Sequence, residues 1–280
     1  MVILDGKQTS DILKESLAKK ISEEKGKITL MMIVVGSNPA SAVYVRNKER
    51  ACEKVGIKSI VHRLDENATQ KEVLDLIRYA NSSNQIHGIM VQMPLPKHID
   101  ETTVINEINP LKDVDGLTLH NQGLLFTGCD GLVPATPKGI LTLLKTYAIT
   151  LTGKHCVVVG RSKLVGKPVG MLMLSNNATV TYAHSKTENL KAICKSADIL
   201  IVAVGKAHFI TSDMVKKDAV VIDVGINRLN DKLTGDVDFE SVSKVASYIT
   251  PVPKGVGPMT VYSLLENTYE AYLIQKNLNK

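Results

Sequence analysis

Short apolar runs alternate with longer helical patterns along the whole chain, and this constrains the fold more than any other feature. Strands joined through helices cannot return by tight hairpins, so they line up in mostly parallel sheets covered by helices. In the first half the order is a helix from about Thr9 to Glu24, the apolar run Leu30 to Val35, and a helix opening after Asn38-Pro39. A strand near Ile60, a helix around Glu72 to Tyr79 and the strand Gly88 to Val91 follow. The second half repeats the pattern with strands at Cys156 to Val159, Thr179 to Thr181, Ile199 to Val204, Ala219 to Ile222 and near Tyr248. The expected architecture is α/β in two domains, the second Rossmann-like. Between the halves, Pro110 to Gly139 is rich in Gly, Pro, Asp and Thr and reads as a functional loop leading into a helix at about Lys138 to Tyr147. After Pro258 an amphipathic helix, Val261 to about Ile274, has to pack back on one of the domains.

Composition excludes several classes. The start, Met1 to Lys7, has a four-residue apolar run broken by Asp5, so neither a basic leader nor a long apolar segment is present, and export is not expected. No apolar stretch approaches the roughly 18 residues needed to span a bilayer. Cys52, Cys129, Cys156 and Cys194 stand singly without CxxC or His/Cys spacing, which argues against a metal site and for a reducing, cytoplasmic setting. The net charge of +6 is spread among acidic residues, and with no Trp and 3 Phe a nucleic-acid stacking platform is not expected.

Two regions carry chemistry. After the run Cys156 to Val159 comes Gly160-Arg-Ser-Lys-Leu-Val-Gly166-Lys-Pro-Val-Gly170, a strand, a glycine turn and a helix, the context of a phosphate-binding turn. Ser162 stands where a second glycine would complete the usual fingerprint, so a plain tight turn is the alternative. About 20 residues on, where an NAD site places an acid, the chain reads Tyr182-Ala-His-Ser-Lys186. Arg161, Lys163, Ser185 and Lys186 supply cations and a hydroxyl suited to a 2′-phosphate, which favours NADP over NAD on charge.

The second region begins at Asn38-Pro39, a capping residue followed by a residue pre-set for the first helical turn. Ser41, Tyr44 and Lys48 then share one helix face, an arrangement open to acid/base work or to a half-buried Tyr beside a solvated Lys. Gly88-Ile-Met-Val-Gln92-Met-Pro-Leu-Pro is an apolar strand ending on a Gln, at the strand end where α/β enzymes place polar groups. Asp113 and Asp115, in Lys-Asp-Val-Asp-Gly116, are candidate site residues or turn formers.

Taken in order, these segments with Pro134-Ala-Thr-Pro-Lys-Gly139, His184-Ser-Lys-Thr and Pro251-Val-Pro-Lys-Gly-Val-Gly-Pro-Met-Thr260 resemble the bifunctional methylenetetrahydrofolate dehydrogenase/methenyltetrahydrofolate cyclohydrolase family. The resemblance spans nearly the whole chain. It implies a tetrahydrofolate-binding catalytic domain over residues 1–120, onto which 261–280 packs back, and an NADP-binding domain over 121–260, with a cleft between them. It implies oxidation of methylenetetrahydrofolate with NADP and hydrolysis of the methenyl product; a family member with only one of the two activities, or another NADP-dependent two-domain oxidoreductase, is the alternative. A homodimer, no nucleic-acid partner and no membrane partner are further expectations.

The same resemblance makes Lys48 the key catalytic group, Gln92 its tuner, Asp115 the holder of the pterin and Tyr44 a stacking or shielding group. Val91, Met93, Pro251, Gly255, Gly257 and Pro258 join them around the folate, and Gly160, Arg161, Ser162, Ser185 and Ile226 contact NADP. The Pro251 to Met259 segment is expected as a closing loop in which Gly255 and Gly257 permit close backbone approach. Lys254 stands where the family usually has Gly, and Ala135 where it usually has Cys.

Overall fold

The computed structural model describes residues 1–230 and 232–278, except for the side chains of 39 and 40. In chain order it begins β1 (Val2–Ile3), α1 (Gly6–Ser22), β2 (Thr29–Val35), α2 (Pro39–Val55), β3 (Lys58–Leu64), α3 (Gln70–Ser82) and β4 (Gly88–Val91). Next come α4 (Glu101–Glu107), α5 (Leu119–Thr127), α6 (Ala135–Thr146), β5 (His155–Val159), α7 (Gly166–Ser175), β6 (Thr179–Ala183), α8 (Leu190–Lys195) and β7 (Ile199–Val202). The chain closes with β8 (Val220–Asp223), β9 (Asn227–Leu229), β10 (Lys232–Thr234), α9 (Phe239–Val242), β11 (Tyr248–Ile249) and α10 (Val256–Leu278).

Two compact units emerge. One joins Ile12–Ala135 to Val261–Lys280, and the other joins Met1–Asp11 to Thr136–Thr260. In the first, β2 is the centre of a three-stranded parallel sheet, ordered β3-β2-β4, and all seven of its residues are buried. Its unbroken apolar run is what a strand covered on both faces requires. One core forms where Met31, Ile33, Ile89 and Val91 meet Val73, Ile77 and Ala80 of α3. That helix is started by a reciprocal cap between Thr69 and Glu72, which satisfies two backbone N–H groups that the first turn leaves free.

The second unit carries a six-stranded parallel sheet, β1-β11-β8-β7-β5-β6, as expected of a Rossmann-like domain. The residues of β7 and β8 are buried throughout, and the core gathers Val157, Leu200, Val221 and Ile249. A small antiparallel hairpin, β9 with β10, stands apart from the sheet.

The expected boundary at residue 120 is displaced at two places. Residues 1–11 join the larger sheet because β1 pairs in parallel with β11, Val2 opposite Tyr248, and because the Lys7 N–H donates to Lys254 O. Residues 121–135 stay with the first unit. There Asn267 Nδ2 donates to both Val114 O and Val133 O at 2.8 Å, and a side chain at Gly116 would collide with the backbone of Leu132 to Pro134.

The Pro110 to Gly139 stretch is not all loop. It contains α5, capped by the Thr118 side chain and ended by Gly128 at φ 73°. The last helix starts at Val256, five residues earlier than its sequence pattern suggested. It is buried on more than one face, through Leu264, Leu265, Asn267, Thr268 and Ala271, so it is not simply amphipathic. Residues 279 and 280 of the expected 261–280 segment lie outside the described residues. Among the described residues no helix is long and apolar enough to cross a membrane, and no three His, Cys, Asp or Glu side chains gather as a metal site.

Candidate active site

The first unit brings Lys48, Gln92 and Asp115 together. The site is assembled by α2, whose start is braced by Asn38 Oδ1 accepting the Ser41 N–H at 3.3 Å. Val45 and Cys52 face the core one turn either side of Lys48, and Ser41 is buried with them. Lys48 therefore leaves α2 at the rim of the buried face. Its Nζ donates to Gln92 Oε1 at 3.2 Å and to Met90 Sδ at 3.1 Å.

Both acceptors come from the end of β4. The Gln92 N–H continues the sheet by donating to Ile33 O at 2.8 Å. Residues 90 and 92 point to one face because side chains alternate along a strand. Gln92 Nε2 donates to Met93 O at 2.7 Å, so the amide oxygen is the end that meets Lys48. Val91 is buried in the sheet core, while Gln92 and Met93 are half-buried.

The Lys-Asp-Val-Asp-Gly segment divides its labour. Lys112 is buried and donates to the carbonyls of Ala80, Asn81 and Ser83, which closes the C-terminal end of α3. Asp113 is fully buried and accepts from the N–H groups of Leu117 and Thr118 and from Asn121 Nδ2. Asp113 is thus the turn former, which leaves Asp115 as the carboxylate that interacts electrostatically with Lys48.

Burial pushes the Lys48 amine below the usual lysine range, while the Asp115 carboxylate works in the opposite direction. Burial raises Asp115 to about 6, Lys48 draws it back down, and Asp113 adds to the rise. Burial also pushes the Cys52 thiol up to about 12, so it stays neutral beside the lysine. The half-buried Tyr44 phenol is raised by desolvation and is 40% exposed, one turn before Lys48. The result is a polarised set: a lysine inclined to lose its proton, a neutral amide, a carboxylate and a phenol.

Met90 and Cys52 were not anticipated as neighbours of Lys48. Both had a signal in the sequence. Met90 lies two residues before Gln92 on a strand, and Cys52 lies four after Lys48 on a helix.

The second unit holds the remaining expected positions. Gly160, at φ 129°, closes β5 against the next strand: a side chain there would overlap Ala203 O, and one at Gly166 would overlap Gly160 O. Ser162 Oγ accepts from the N–H groups of Val165 and Gly166 at 3.2 Å, which organises the turn into α7. Arg161, Ser162, Ser185 and Ile226 are exposed. A tight glycine turn at a helix start, with an exposed cation and hydroxyls beside it and no acid at the end of β6, fits a dinucleotide carrying an extra phosphate.

Pro251, Gly255, Gly257 and Pro258 also belong to this unit, but not as one loop. Gly255 is needed for packing, since a Cβ there would overlap Pro251 O, whereas Gly257 lies in the first turn of α10 with open space beside it. Close approach within the protein thus explains only the first of the two glycines.

Comparison with known proteins agrees with both halves. Residues 4–115 match the family model "Tetrahydrofolate dehydrogenase/cyclohydrolase, catalytic domain", and residues 134–276 match "Tetrahydrofolate dehydrogenase/cyclohydrolase, NAD(P)-binding domain". The bifunctional protein FolD of Oceanobacillus iheyensis is 55% identical over 273 residues, 96% of each chain. The crystal structure of the bifunctional enzyme FolD of Campylobacter jejuni superposes with a TM-score of 0.96 at 48% identity, covering 99% of both chains. The Trypanosoma brucei FolD, solved with NADP cofactor and inhibitor, gives 0.95 at 32% identity over 100% of this chain and 99% of that one. With matches in both units, near-complete coverage and identities well above 30%, the chain belongs to the tetrahydrofolate dehydrogenase/cyclohydrolase family.

Proposed function

We propose that this protein oxidises 5,10-methylenetetrahydrofolate to the 5,10-methenyl cation with NADP and hydrolyses that cation to 10-formyltetrahydrofolate. The observation that carries this reading is Lys48: a lysine pushed toward its neutral form and held by a neutral amide, not by a carboxylate, at hydrogen-bond distance.

When bound, NADP accepts the hydride from the methylene carbon. The protein's own residues orient and protect. Asp115 accepts paired hydrogen bonds from the amino-pyrimidine edge of the pterin, and the Tyr44 ring covers the folate. Val91 and Met93, at the end of β4 in the same unit, extend the folate surface beside Gln92. Gly160, Arg161, Ser162, Ser185 and Ile226 would hold the cofactor, with Arg161 and Ser185 supplying a cation and a hydroxyl suited to a 2′-phosphate.

In the hydrolytic step the methenyl cation itself disfavours a charged Lys48, so the amine stands ready as a base. Water adds to the methenyl carbon and gives its proton to Lys48. That proton then passes to the ring nitrogen whose bond to carbon breaks, while the carbinol hydroxyl releases its own proton to solvent and becomes the formyl carbonyl on the other nitrogen. Gln92 keeps the amine aimed without stabilising its charge.

The free state of Cys52, Cys129, Cys156 and Cys194 supports a reducing, cytoplasmic setting. We also infer a homodimer: β6 forms an edge of the larger sheet, and its Tyr182 is 37% exposed.

Replacing Lys48 with Met tests the mechanism. Hydrolysis of added methenyltetrahydrofolate should fall to near its spontaneous rate, a loss of at least about 100-fold from a missing general base. Hydrolysis at the wild-type rate would remove Lys48 from the mechanism.

A further inference from the structure

We infer that Asp236 is a positioning residue for the cofactor, an internal anion that shapes the backbone following β7 before any cofactor arrives. Asp236 is fully buried, yet its carboxylate accepts four hydrogen bonds. Oδ2 takes the N–H groups of Val204 at 2.6 Å and Gly205 at 2.9 Å, and Oδ1 takes the Lys206 N–H at 2.8 Å and Asn227 Nδ2 at 2.9 Å. Three successive N–H groups converging on one anion form a nest of the kind that elsewhere binds phosphate. Here the nest is filled from within the protein.

The place matters. The nest begins one residue after Ala203, whose carbonyl packs directly against Gly160 of the glycine turn, and Gly205 within it holds φ at 66°. The fourth donor, Asn227, follows Ile226, an exposed position of the expected cofactor surface. One carboxylate therefore ties the segment beside the phosphate turn to the segment that starts β9.

The arrangement is built in depth. Asp223, at the end of β8, accepts from the N–H groups of Gly225, Asp236 and Val237, and its own N–H donates to Thr250 Oγ1 at 2.7 Å. Glycine is required twice to admit the two acids, since a side chain at Gly225 would overlap the Asp236 carboxylate and one at Gly235 the Asp223 carboxylate. Two buried acids, one at the end of β8 and one two residues past β10, with every hydrogen bond made to backbone N–H or a neutral side chain, are costly unless that hydrogen bonding is complete. Nothing in the hydride transfer or the hydrolysis calls for them as acids or bases. Their use is to fix backbone.

The inference rests on the NADP reading of this unit, and the test separates the two. Asp236→Asn keeps the size but offers one acceptor oxygen, and turns an amide NH2 toward N–H donors. NADP dissociation constants, measured by calorimetry on the wild-type and variant full-length proteins, are the first readout. Hydrolysis of methenyltetrahydrofolate, which uses no NADP, is the second. The expected result is NADP binding weakened at least about tenfold, with KM for NADP rising more than kcat falls and hydrolysis largely retained. Equal NADP affinity in the two proteins, or a parallel loss of hydrolysis, overturns the inference. Absence of NADP binding in the wild type overturns the cofactor reading and the inference with it.

If the variant does not fold, hydrogen exchange of the wild-type protein decides. The amides of Val204, Gly205 and Lys206 should exchange slowly before NADP is added. Fast exchange that slows only with NADP would show a loop shaped by the cofactor and not by Asp236.

Discussion

Lys48 stands between two influences of opposite sign, and each can be altered alone. A carboxylate in place of Gln92 would lie about 3.2 Å from Nζ and favour the ammonium. Gln92→Glu should therefore raise the lysine pKa, move the rising limb of the hydrolysis pH–kcat profile to higher pH, and slow the reaction at neutral pH by about tenfold. The Asp115 carboxylate favours the charged form of Lys48, against the effect of burial. Asp115→Asn removes that support, so the same limb should move to lower pH at saturating substrate, whatever happens to KM. Shifts in the same direction for both variants would show that Lys48 is not the titrating group. The sequence places Lys48 on a helix face and Gln92 at a strand end by periodicity, but their choice as site residues, with Asp115, rests on the family resemblance. The separation of Asp113 from Asp115 was not legible, since only the fold shows that the first carboxylate is consumed by Leu117, Thr118 and Asn121.

At the scale of elements, the turn before α10 carries a strain the sequence hinted at. Lys254 adopts φ 84°, a left-handed conformation that costs a residue with a Cβ about 1 kcal/mol relative to Gly. Lys254→Gly should thus raise thermal stability by roughly 2–4 °C in a chain of this size. An unchanged or lower melting temperature would show that the Lys254 side chain makes compensating contacts. The long buried strands β2, β4, β5, β7 and β8 were readable from their apolar runs. So were the helices with clear periodicity. The short strand expected near Tyr248 is β11, whereas β1 has no signal of its own, since it exists only through its pairing with β11, Val2 opposite Tyr248. α4 and α5 escaped notice for a different reason. Their starts depend on single capping residues, Asp100 and Thr118, inside stretches whose Gly, Pro and Asp content signals loops.

At the scale of the whole molecule, the proposed mechanism divides the two activities between the units: hydrolysis on Lys48, Gln92 and Asp115, NADP binding on the glycine turn and its braces. The division at residues 11 and 135 was hidden from the sequence because a boundary follows contacts, and the first strand joins a sheet that the rest of the chain supplies much later. The proposed homodimer predicts a sedimentation mass near twice 30.5 kDa at micromolar concentration. A species of single mass under those conditions would exclude it.

The most direct measurement is an ultraviolet assay of the purified protein, with methylenetetrahydrofolate and either NADP or NAD, alongside the decay of added methenyltetrahydrofolate. The expected result is methenyl and reduced-cofactor formation with NADP well ahead of NAD, together with decay faster than the spontaneous rate. Absence of both methenyl formation and accelerated decay would contradict the bifunctional assignment outright, and formation without accelerated decay would contradict the role given to Lys48.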